Sequence, residues 1–402
     1  MATNSFVRNA VVLGLLSAVG PFAIDMYLPA LPAISADLKA STAATQMSLM
    51  AFFAAVAVCQ LVYGPLSDMF GRKSPLYFGL ALYALGGIGC SFAPSIEWLI
   101  AFRFIQGIGA CAGMTIPRAI VRDLHTGHDA TRLMSTIMLV FSVSPILAPL
   151  IGSTLISFLG WRAIFDTVAV IGLLAILLTV FLIPETRPAA ERIKSGFRSV
   201  LSGYGELLRD RHFIGVSMIG GLGMSSFFAF LASSSFVYIG HFGLSPFVYG
   251  FAFSVNAIAF IGMAQTTTWL GRRFGMVRVI RTGVAAYAVI TLGLLAVTLA
   301  GVDSLPVLMT FLFVGFGTMG AVIPSSMVLA LEEHGRLAGT AAALGGTLQL
   351  VTGAVVIVLV SIFFDGTPLP MVIGIAACAA AAFVVTRLTL SRRDEAVPIP
   401  AE

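Results

Sequence analysis

Long apolar stretches of about 19 to 28 residues recur along this chain of 402 residues, separated by short clusters of charged side chains. A helix needs about 20 apolar residues to cross ~30 Å of hydrocarbon, so each stretch is predicted to span a membrane. The chain is 58% hydrophobic and only 10% charged, far below the charged fraction of soluble proteins. Lipid must therefore be the solvent for most of its surface, and the continuous apolar runs exclude an outer-membrane barrel.

The fold class predicted from these stretches is an all-α membrane protein with twelve transmembrane helices in two six-helix lobes. The helices are placed at 9–32, 44–66, 75–93, 97–119, 133–158, 162–183, 212–239, 247–270, 279–300, 304–330, 337–363 and 369–389. The predicted domains are an N-terminal lobe at 1–183, a cytoplasmic linker at 184–211, a C-terminal lobe at 212–390 and a tail at 391–402. The first stretch is interpreted as a helix, not a cleaved signal peptide, because it contains Asp25 and no clear cleavage site follows.

The distribution of basic residues predicts the orientation. If the N-terminus is cytoplasmic, 20 of the 23 Lys and Arg residues fall on the cytoplasmic side, and only Lys39 and Arg162 fall outside. The remaining residue, Arg103, lies within a helix. This asymmetry follows the positive-inside rule, so both termini are predicted to be cytoplasmic. It also explains the net charge of +5 without any nucleic-acid partner.

Each half carries a turn rich in Gly and Arg after its second predicted helix, at 64–73 and 270–275. The copies match at Phe70 with Phe274 and at Gly71 with Gly275. Six helices repeated in parallel are typical of two-lobed secondary transporters.

The first of these turns, Gly64-x-x-x-Asp68-x-x-Gly71-Arg72-Lys73, resembles the signature of the major facilitator superfamily. Within that superfamily the chain is similar to the bicyclomycin and chloramphenicol resistance branch of twelve-helix drug:proton antiporters. The matching segments are Ile24-Asp25-Met26-Tyr27-Leu28-Pro29-Ala30, Arg103-Phe-Ile-Gln106-Gly107, Arg118-Ala-Ile-Val-Arg122-Asp123, Gly160-Trp161-Arg162-Ala-Ile-Phe165 and Pro184-Glu185-Thr186.

The resemblance implies a proton-driven exporter of small amphipathic compounds in a bacterial inner membrane. Its partners would be a small-molecule substrate and the lipid bilayer, with no cofactor, no nucleic acid and a monomeric state. The fifth helix only approximates the family's exporter motif, because Ser153 stands where a second glycine is usual. Proton-coupled uptake or exchange of a specific metabolite therefore stays open as an alternative.

Two ionisable residues are predicted at membrane depth. Inserting a charged side chain there costs at least ~2.5 kcal/mol, so such a residue is expected to have a functional role. At 1.5 Å per residue, Asp25 lies about 15 Å and Arg103 about 9 Å below the outer surface, close enough to interact. Opposing effects of burial and a guanidinium group can place a carboxyl's titration near the working pH. Asp25 is predicted to carry the proton and Arg103 to modulate it. The alternative is a salt bridge that only fixes packing.

A cytoplasmic gate is predicted around the first turn, where Asp68, Arg72 and Asp123 would form a charge cluster that latches one state. Gly64 and Gly71 would allow the tight turn. The alternative is a membrane-flank anchor whose charges only set topology. The complete set of predicted gating residues is Gly64, Asp68, Gly71, Arg72, Arg118, Arg122, Asp123, Pro145, Pro149 and Gly152.

The last three of these residues lie in the fifth helix. There Ser144, Ala148 and Gly152 recur every four residues and allow close helix approach. Pro145 and Pro149 each remove a backbone hydrogen bond and invite a bend, although a static kink is the alternative.

Aromatic, amide and hydroxyl side chains suggest an adaptable substrate cavity. The predicted lining is Phe22, Tyr27, Gln60, Gln106, Met224, Phe227, Phe228, Phe230, Phe236, Tyr238, Asn256 and Gln349, although simple packing is the alternative for each. Arg162 and Asp166, four residues apart, are predicted to form a surface pair, with a second proton site at Asp166 as the alternative.

An enzyme is disfavoured, because neither Gly-x-Ser-x-Gly nor His-Glu-x-x-His occurs and His241 is placed at the outer end of the seventh helix. His125 and His128 are interpreted as part of a solvated loop, not as a metal site. All four cysteines fall in apolar runs, which predicts no disulfide.

Overall fold

The computed structural model describes residues 2–125, 127–192 and 197–390, and within these residues the regular structure is entirely helical. The α-helices are α1 Ala2–Asp25, α2 Leu31–Asp37, α3 Thr42–Phe70, α4 Lys73–Ser91, α5 Ile96–Leu124, α6 Gly127–Leu159, α7 Arg162–Leu182, α8 Phe197–Arg209, α9 Arg211–Ser235, α10 Pro246–Phe274, α11 Met276–Leu299, α12 Leu305–Glu332, α13 Ala338–Ile362 and α14 Leu369–Thr389. Short 3₁₀ turns lie at Leu28–Ala30, Ala189–Glu191 and Gly335–Leu337, and a π-helical segment at Phe236–His241 extends α9.

Each of the twelve predicted apolar stretches coincides with one helix or, at 9–32, with two helices separated by a short break. In the described part of the chain, eleven helical segments are long and apolar enough to cross a membrane. The stretch outside that group is α4, with 19 residues, whose four glycines, Pro75 and two tyrosines lower its mean hydropathy. The structure thus shows a multi-pass membrane protein, and the twelfth crossing stays a prediction.

Two compact units divide the chain, Met1–Val200 and Leu201–Glu402. In the first unit, α3 and α4 both pack on α5, while α1 packs on α6 and α4 on α7. The second unit repeats these pairings in order: α10 and α11 pack on α12, α9 on α13 and α11 on α14. The same helix arrangement is therefore built twice, as the repeated turn in the sequence indicates.

The two repeated turns have the same backbone. Gly71 follows the end of α3 with φ 88°, and Gly275 follows the end of α10 with φ 80°. A residue without Cβ is needed there, because the left-handed region is costly for other side chains. The expectation that Gly64 also shapes the turn is wrong. Gly64 lies inside α3, which continues to Phe70.

The first membrane segment is broken instead of continuous. The predicted helix at 9–32 ends at Asp25, passes through the 3₁₀ turn and restarts as α2. Pro29 lacks the N–H that would donate to the Asp25 carbonyl in an α-helix, and Pro32 does the same for Leu28. The prolines therefore place Asp25 at the C-terminal end of α1.

The predicted linker at 184–211 contains a helix that its polar composition did not predict. α8 begins at Phe197 and presents Leu207 to the interior, fully buried. Gly203 on the same helix lies beside Leu337 and Thr340, at the start of α13. This part of the linker is thus packed onto the second unit.

Candidate functional site

Among the described residues Arg103 is the largest fully buried side chain, and it lies two turns into α5. Its Nη1 donates to the Ala23 carbonyl at 3.1 Å and to Gln106 Oε1 at 2.6 Å. The guanidinium carbon lies 4.6 Å from the Tyr27 ring centre and 4.4 Å from that of Phe52. Among the described residues, Nε and Nη2 have no hydrogen-bond partner. Cation–π contacts therefore stabilise this charge in part, and some of its donor capacity is unused.

Asp25 lies at the end of α1 and is only 5% exposed. No hydrogen bond or ion pair within the described part of the chain reaches its carboxyl, and Arg103 is beyond the 4.0 Å limit of an ion pair. The expected direct interaction between these two side chains is therefore absent, and so is the alternative of a static salt bridge. The aromatic rings of Tyr27 and Phe52 occupy the faces of the guanidinium group instead.

Tyr27 is held as a structural part of this site. It is completely buried, its hydroxyl shares a 2.6 Å hydrogen bond with Ser48, and its ring lies 5.4 Å from the Phe165 ring. Ser48 and Phe52 were not predicted from the sequence, and Phe165 was noted only within a segment that matches the family, without a role at this site. Only the spacing within their helices marks them, and that spacing does not distinguish a face turned to Arg103 from one turned to lipid.

The residues predicted to line a cavity fall into two groups by exposure. Those that are partly exposed are Phe22, Gln60, Met224, Phe227 and Gln349. Those that are buried within their own unit are Tyr27, Gln106, Phe228, Phe230, Phe236, Tyr238 and Asn256. In the present conformation only the first group is accessible to a ligand. The lining role of both groups stays a prediction.

The aromatic residues of α9 form a packed cluster with neighbouring helices of the second unit. Phe230 stacks on Phe253 with ring centres 5.6 Å apart and lies 5.2 Å from Phe316. Phe227 contacts both Phe253 and Phe316 while remaining partly exposed. Phe253 and Phe316 carry no sequence signal beyond hydrophobicity, so the partners of the α9 aromatics were not predicted.

The charge cluster expected at the first turn is present, with Arg72 at its centre and 3% exposed. Its Nε and Nη2 donate to the two carboxylate oxygens of Asp123 at 2.7 and 3.1 Å. Its Nη1 donates to Asp68 at 2.8 Å and to the Ser67 hydroxyl at 2.7 Å. This bidentate geometry ties the end of α3 to the end of α5, and such pairs are among the stronger polar contacts.

The segment after α7 completes the cluster, which the sequence analysis did not predict. Glu185 accepts from the backbone N–H of Arg72 at 2.8 Å and of Lys73 at 3.1 Å, and so caps the start of α4. Arg187 donates to Asp68 at 2.9 Å, and the Thr186 hydroxyl donates to Asp123 at 2.9 Å. The Pro184-Glu185-Thr186 motif thus links the ends of three helices.

Two of the predicted gating residues lie outside this cluster. Arg118 and Arg122 are exposed side chains of α5, and neither makes a hydrogen bond or an ion pair within the described part of the chain. Their gating role is a prediction without a contact to support it.

The predicted fifth membrane helix corresponds to α6, and its small residues pack closely against the break in the first membrane segment. Ser144, Ala148 and Gly152 are buried on one face of α6, as expected. A Cβ atom at Gly152 would lie 2.1 Å from the carbonyl oxygen of Met26. The backbone beside Asp25 therefore rests directly on α6.

Arg162 does not pair with Asp166, so the predicted surface pair is wrong. Arg162 Nη1 bonds Asp37 at 2.7 Å, and Trp161 Nε1 donates to the same carboxylate at 3.0 Å. Asp37 at the end of α2 competes successfully because it also receives the indole donor. Asp166 is exposed near the start of α7.

His241 has a partner that its position in the sequence did not reveal. Its Nε2 lies 2.6 Å from Asp303, which follows α11. The pair borders a cavity of about 200 Å³ at one end of the second unit. The other histidine pair considered above includes His128, whose side chain lies outside the described residues.

Comparisons with known proteins agree with this architecture. A family model described as Major Facilitator Superfamily matches residues 13–357. An uncharacterised MFS-type transporter of Bacillus subtilis, YdgK, is 37% identical over 367 residues, 90% of each chain. A bicyclomycin resistance protein homolog of Haemophilus influenzae is 31% identical and covers 91% of this chain and 92% of its own. The crystal structure of a D-xylose–proton symporter superposes with a TM-score of 0.74 at 17% identity, over 98% of this chain and 99% of its own, which shows the shared fold.

Proposed function

Because this chain belongs to the major facilitator superfamily and is a transporter, not an enzyme, we propose that it exports small amphipathic compounds in exchange for protons by alternating access. The membrane is the bacterial inner membrane, with twelve crossings and both termini in the cytoplasm. The names of related proteins support the substrate class. They include a bicyclomycin resistance homolog and multidrug resistance proteins named MdtL, the latter 32% identical over about half of each chain.

The observation that carries the proposal is the unpaired, buried carboxyl of Asp25 at the break in the first membrane segment. A carboxyl at membrane depth is rare and normally has a partner, because its charged form is expensive there. Asp25 has none among the described residues. A group in this condition is suited to bind and release a proton as its access changes.

Arg103 supports this function through its unused donors. Its Nε and Nη2 are buried without a hydrogen-bond partner in the described part of the chain, while Nη1 is bonded two residues before Asp25, at the Ala23 carbonyl. When Asp25 loses its proton, a modest movement at the break brings the carboxylate toward these donors. When Asp25 is protonated, the guanidinium group is stabilised by the aromatic rings of Tyr27 and Phe52 instead of by a carboxylate.

The cluster around Arg72 acts as the cytoplasmic latch in this scheme. It joins the ends of α3 and α5 to the segment after α7 through Asp68, Asp123 and Glu185. Opening the inner side requires these helix ends to separate. The bonds of Arg72 must then break and later reform, so the latch favours the state in which the cluster is assembled.

The proposal is tested by replacing Asp25 with Asn, which keeps the shape and removes the titrating group. In proteoliposomes with an imposed proton gradient, efflux is measured for a panel of amphipathic antibiotics, with and without an uncoupler. Substrate-driven proton movement should fall to the level of empty liposomes in D25N, while substrate binding persists.

Asp166→Asn is the matched control, since it removes an exposed carboxyl of the same unit. It should leave coupling intact. Full coupling in D25N, or its loss in D166N alone, rules out Asp25 as the proton carrier. Accumulation of a compound inside liposomes, driven by the inward proton gradient, would instead identify an uptake system.

A further inference from the structure

A second cavity, of about 510 Å³, lies on the first unit and is separate from the Asp25 and Arg103 site. It exists because α3 and α4 both pack on α5 and touch each other little, which leaves a groove between them with Ile108 of α5 at its floor. Its volume is in the range of sites for organic ligands. Nothing in the transport scheme above uses it.

The groove is apolar and open at the surface of the unit. Phe70 and Phe78 form part of its wall and are 53% and 62% exposed. Both belong to helices of the membrane region, α3 and α4, near the turn that is predicted to be cytoplasmic. A hydrocarbon chain of the surrounding lipid would therefore meet a continuous apolar surface here.

One polar group inside the groove has no partner. Tyr63 is 4% exposed, and its hydroxyl is buried without a hydrogen-bond partner among the described residues. Buried hydroxyls are nearly always bonded, so this one indicates an acceptor that the protein itself does not supply. Tyr63 lines the groove, but neighbouring atoms cover its hydroxyl, so a bound molecule supplies the acceptor only after a local movement of these side chains.

A positive charge stands at the mouth of the groove. Arg192 lines it from the segment after α7 and is partly exposed. It lies near the Glu185 carboxylate and lowers the pKa of that group, but the two form no ion pair within 4.0 Å. Its Nε donates to the Arg187 carbonyl at 3.5 Å, which leaves its other nitrogens available. Tyr63 precedes Phe70 by seven helical residues, so its Cα atom lies about 10 Å along the helix from the end of α3.

We propose that this groove binds one anionic phospholipid. The headgroup phosphate is held by Arg192, an ester oxygen accepts from the Tyr63 hydroxyl, and an acyl chain lies against Phe70, Phe78 and Ile108. Charge complementarity selects the anionic class, because basic pockets between helices at the cytoplasmic face bind anionic headgroups. Neutral lipids offer the same chain without net charge to match Arg192.

The bound lipid also stabilises the Arg72 cluster. Arg192 is bonded to the backbone of Arg187, and the Arg187 guanidinium bonds Asp68 at 2.9 Å. Fixing Arg192 at a headgroup therefore restrains the segment that completes the cluster. Transport should depend on anionic lipid for this reason.

Lipid binding is measured by native mass spectrometry of delipidated protein titrated with phosphatidylglycerol or phosphatidylcholine. Wild type should retain phosphatidylglycerol preferentially. Arg192→Gln should weaken that binding about fivefold, the effect of one basic residue at a charged membrane surface. Arg272→Gln, an exposed basic residue beside the repeated turn of the second unit, is the matched control and should leave it unchanged. Equal retention of both lipids, or equal loss in both variants, overturns the proposal.

Cys59 gives an independent readout on the unmodified protein. It lines the groove and is partly exposed, whereas Cys90, Cys111 and Cys378 are buried. Its rate of labelling by a membrane-permeant maleimide should fall severalfold in phosphatidylglycerol liposomes relative to phosphatidylcholine liposomes. The same protection in R192Q, or equal rates in the two lipids, would show that no specific anionic lipid occupies the groove.

Discussion

Adding one methyl group to α6 at Gly152 tests the packing that supports the break after Asp25. In Gly152→Ala the new Cβ would lie 2.1 Å from the Met26 carbonyl oxygen and 2.8 Å from its carbonyl carbon. Ordinary van der Waals contact begins near 3.4 Å, so the two segments must separate by more than 1 Å. The opposing atoms are backbone, and no change of rotamer relieves the overlap.

The cost follows from two opposing effects. Overpacking a close contact costs about 1–3 kcal/mol, whereas Gly to Ala inside a helix contributes up to about 1 kcal/mol of stabilisation. The net expectation is a loss of about 1–2 kcal/mol in the free energy of unfolding. The separation also displaces the backbone beside Asp25, so proton-coupled efflux should slow as well.

The assay is thermal unfolding of the purified protein together with efflux from proteoliposomes. G152A should unfold a few degrees below wild type. Gly262→Ala in α10 is the matched control, because no atom lies within 4 Å of its added Cβ. That variant should be as stable as wild type or slightly more so. A G152A protein as stable and active as G262A would refute the close approach of α6 to Met26.

Two further substitutions address polar contacts. Glu185→Gln weakens the cap on the N–H groups of Arg72 and Lys73 and should cost about 1 kcal/mol in thermal unfolding. Partial burial alone would raise the pKa of Glu185, but these N–H bonds lower it below 4.5. The carboxylate therefore stabilises the fold above pH 4.5, and this stabilisation is lost as the pH falls further. The gap between wild type and E185Q should therefore close in acid, and a constant gap would contradict the cap. Asp37→Asn removes the exposed ion pair with Arg162, so the free energy of unfolding should fall by only about 0–1 kcal/mol. A larger loss, measured by thermal unfolding, would show that this pair does not behave as a surface contact.

The sequence by itself determined the helices and their environment. Lipid cannot satisfy backbone polar groups, so every long apolar stretch had to be helical, and all twelve are, with a short break in the one at 9–32. It also indicated the repeated turns, since Gly71 and Gly275 permit the positive φ that both turns adopt. The grouping of Asp68, Arg72 and Asp123 followed from their common predicted side of the membrane together with the family resemblance.

Only the tertiary structure decided which side chains meet across helices. Periodicity indicates which residues share a face of one helix, but the rotation of each helix about its axis is set by packing against its neighbours. Asp25 and Arg103 are both predicted at membrane depth but form no ion pair, and Tyr27 and Phe52 cover the guanidinium group instead. Arg162 likewise prefers Asp37, more than 120 residues away in sequence, to a carboxylate one turn along its own helix.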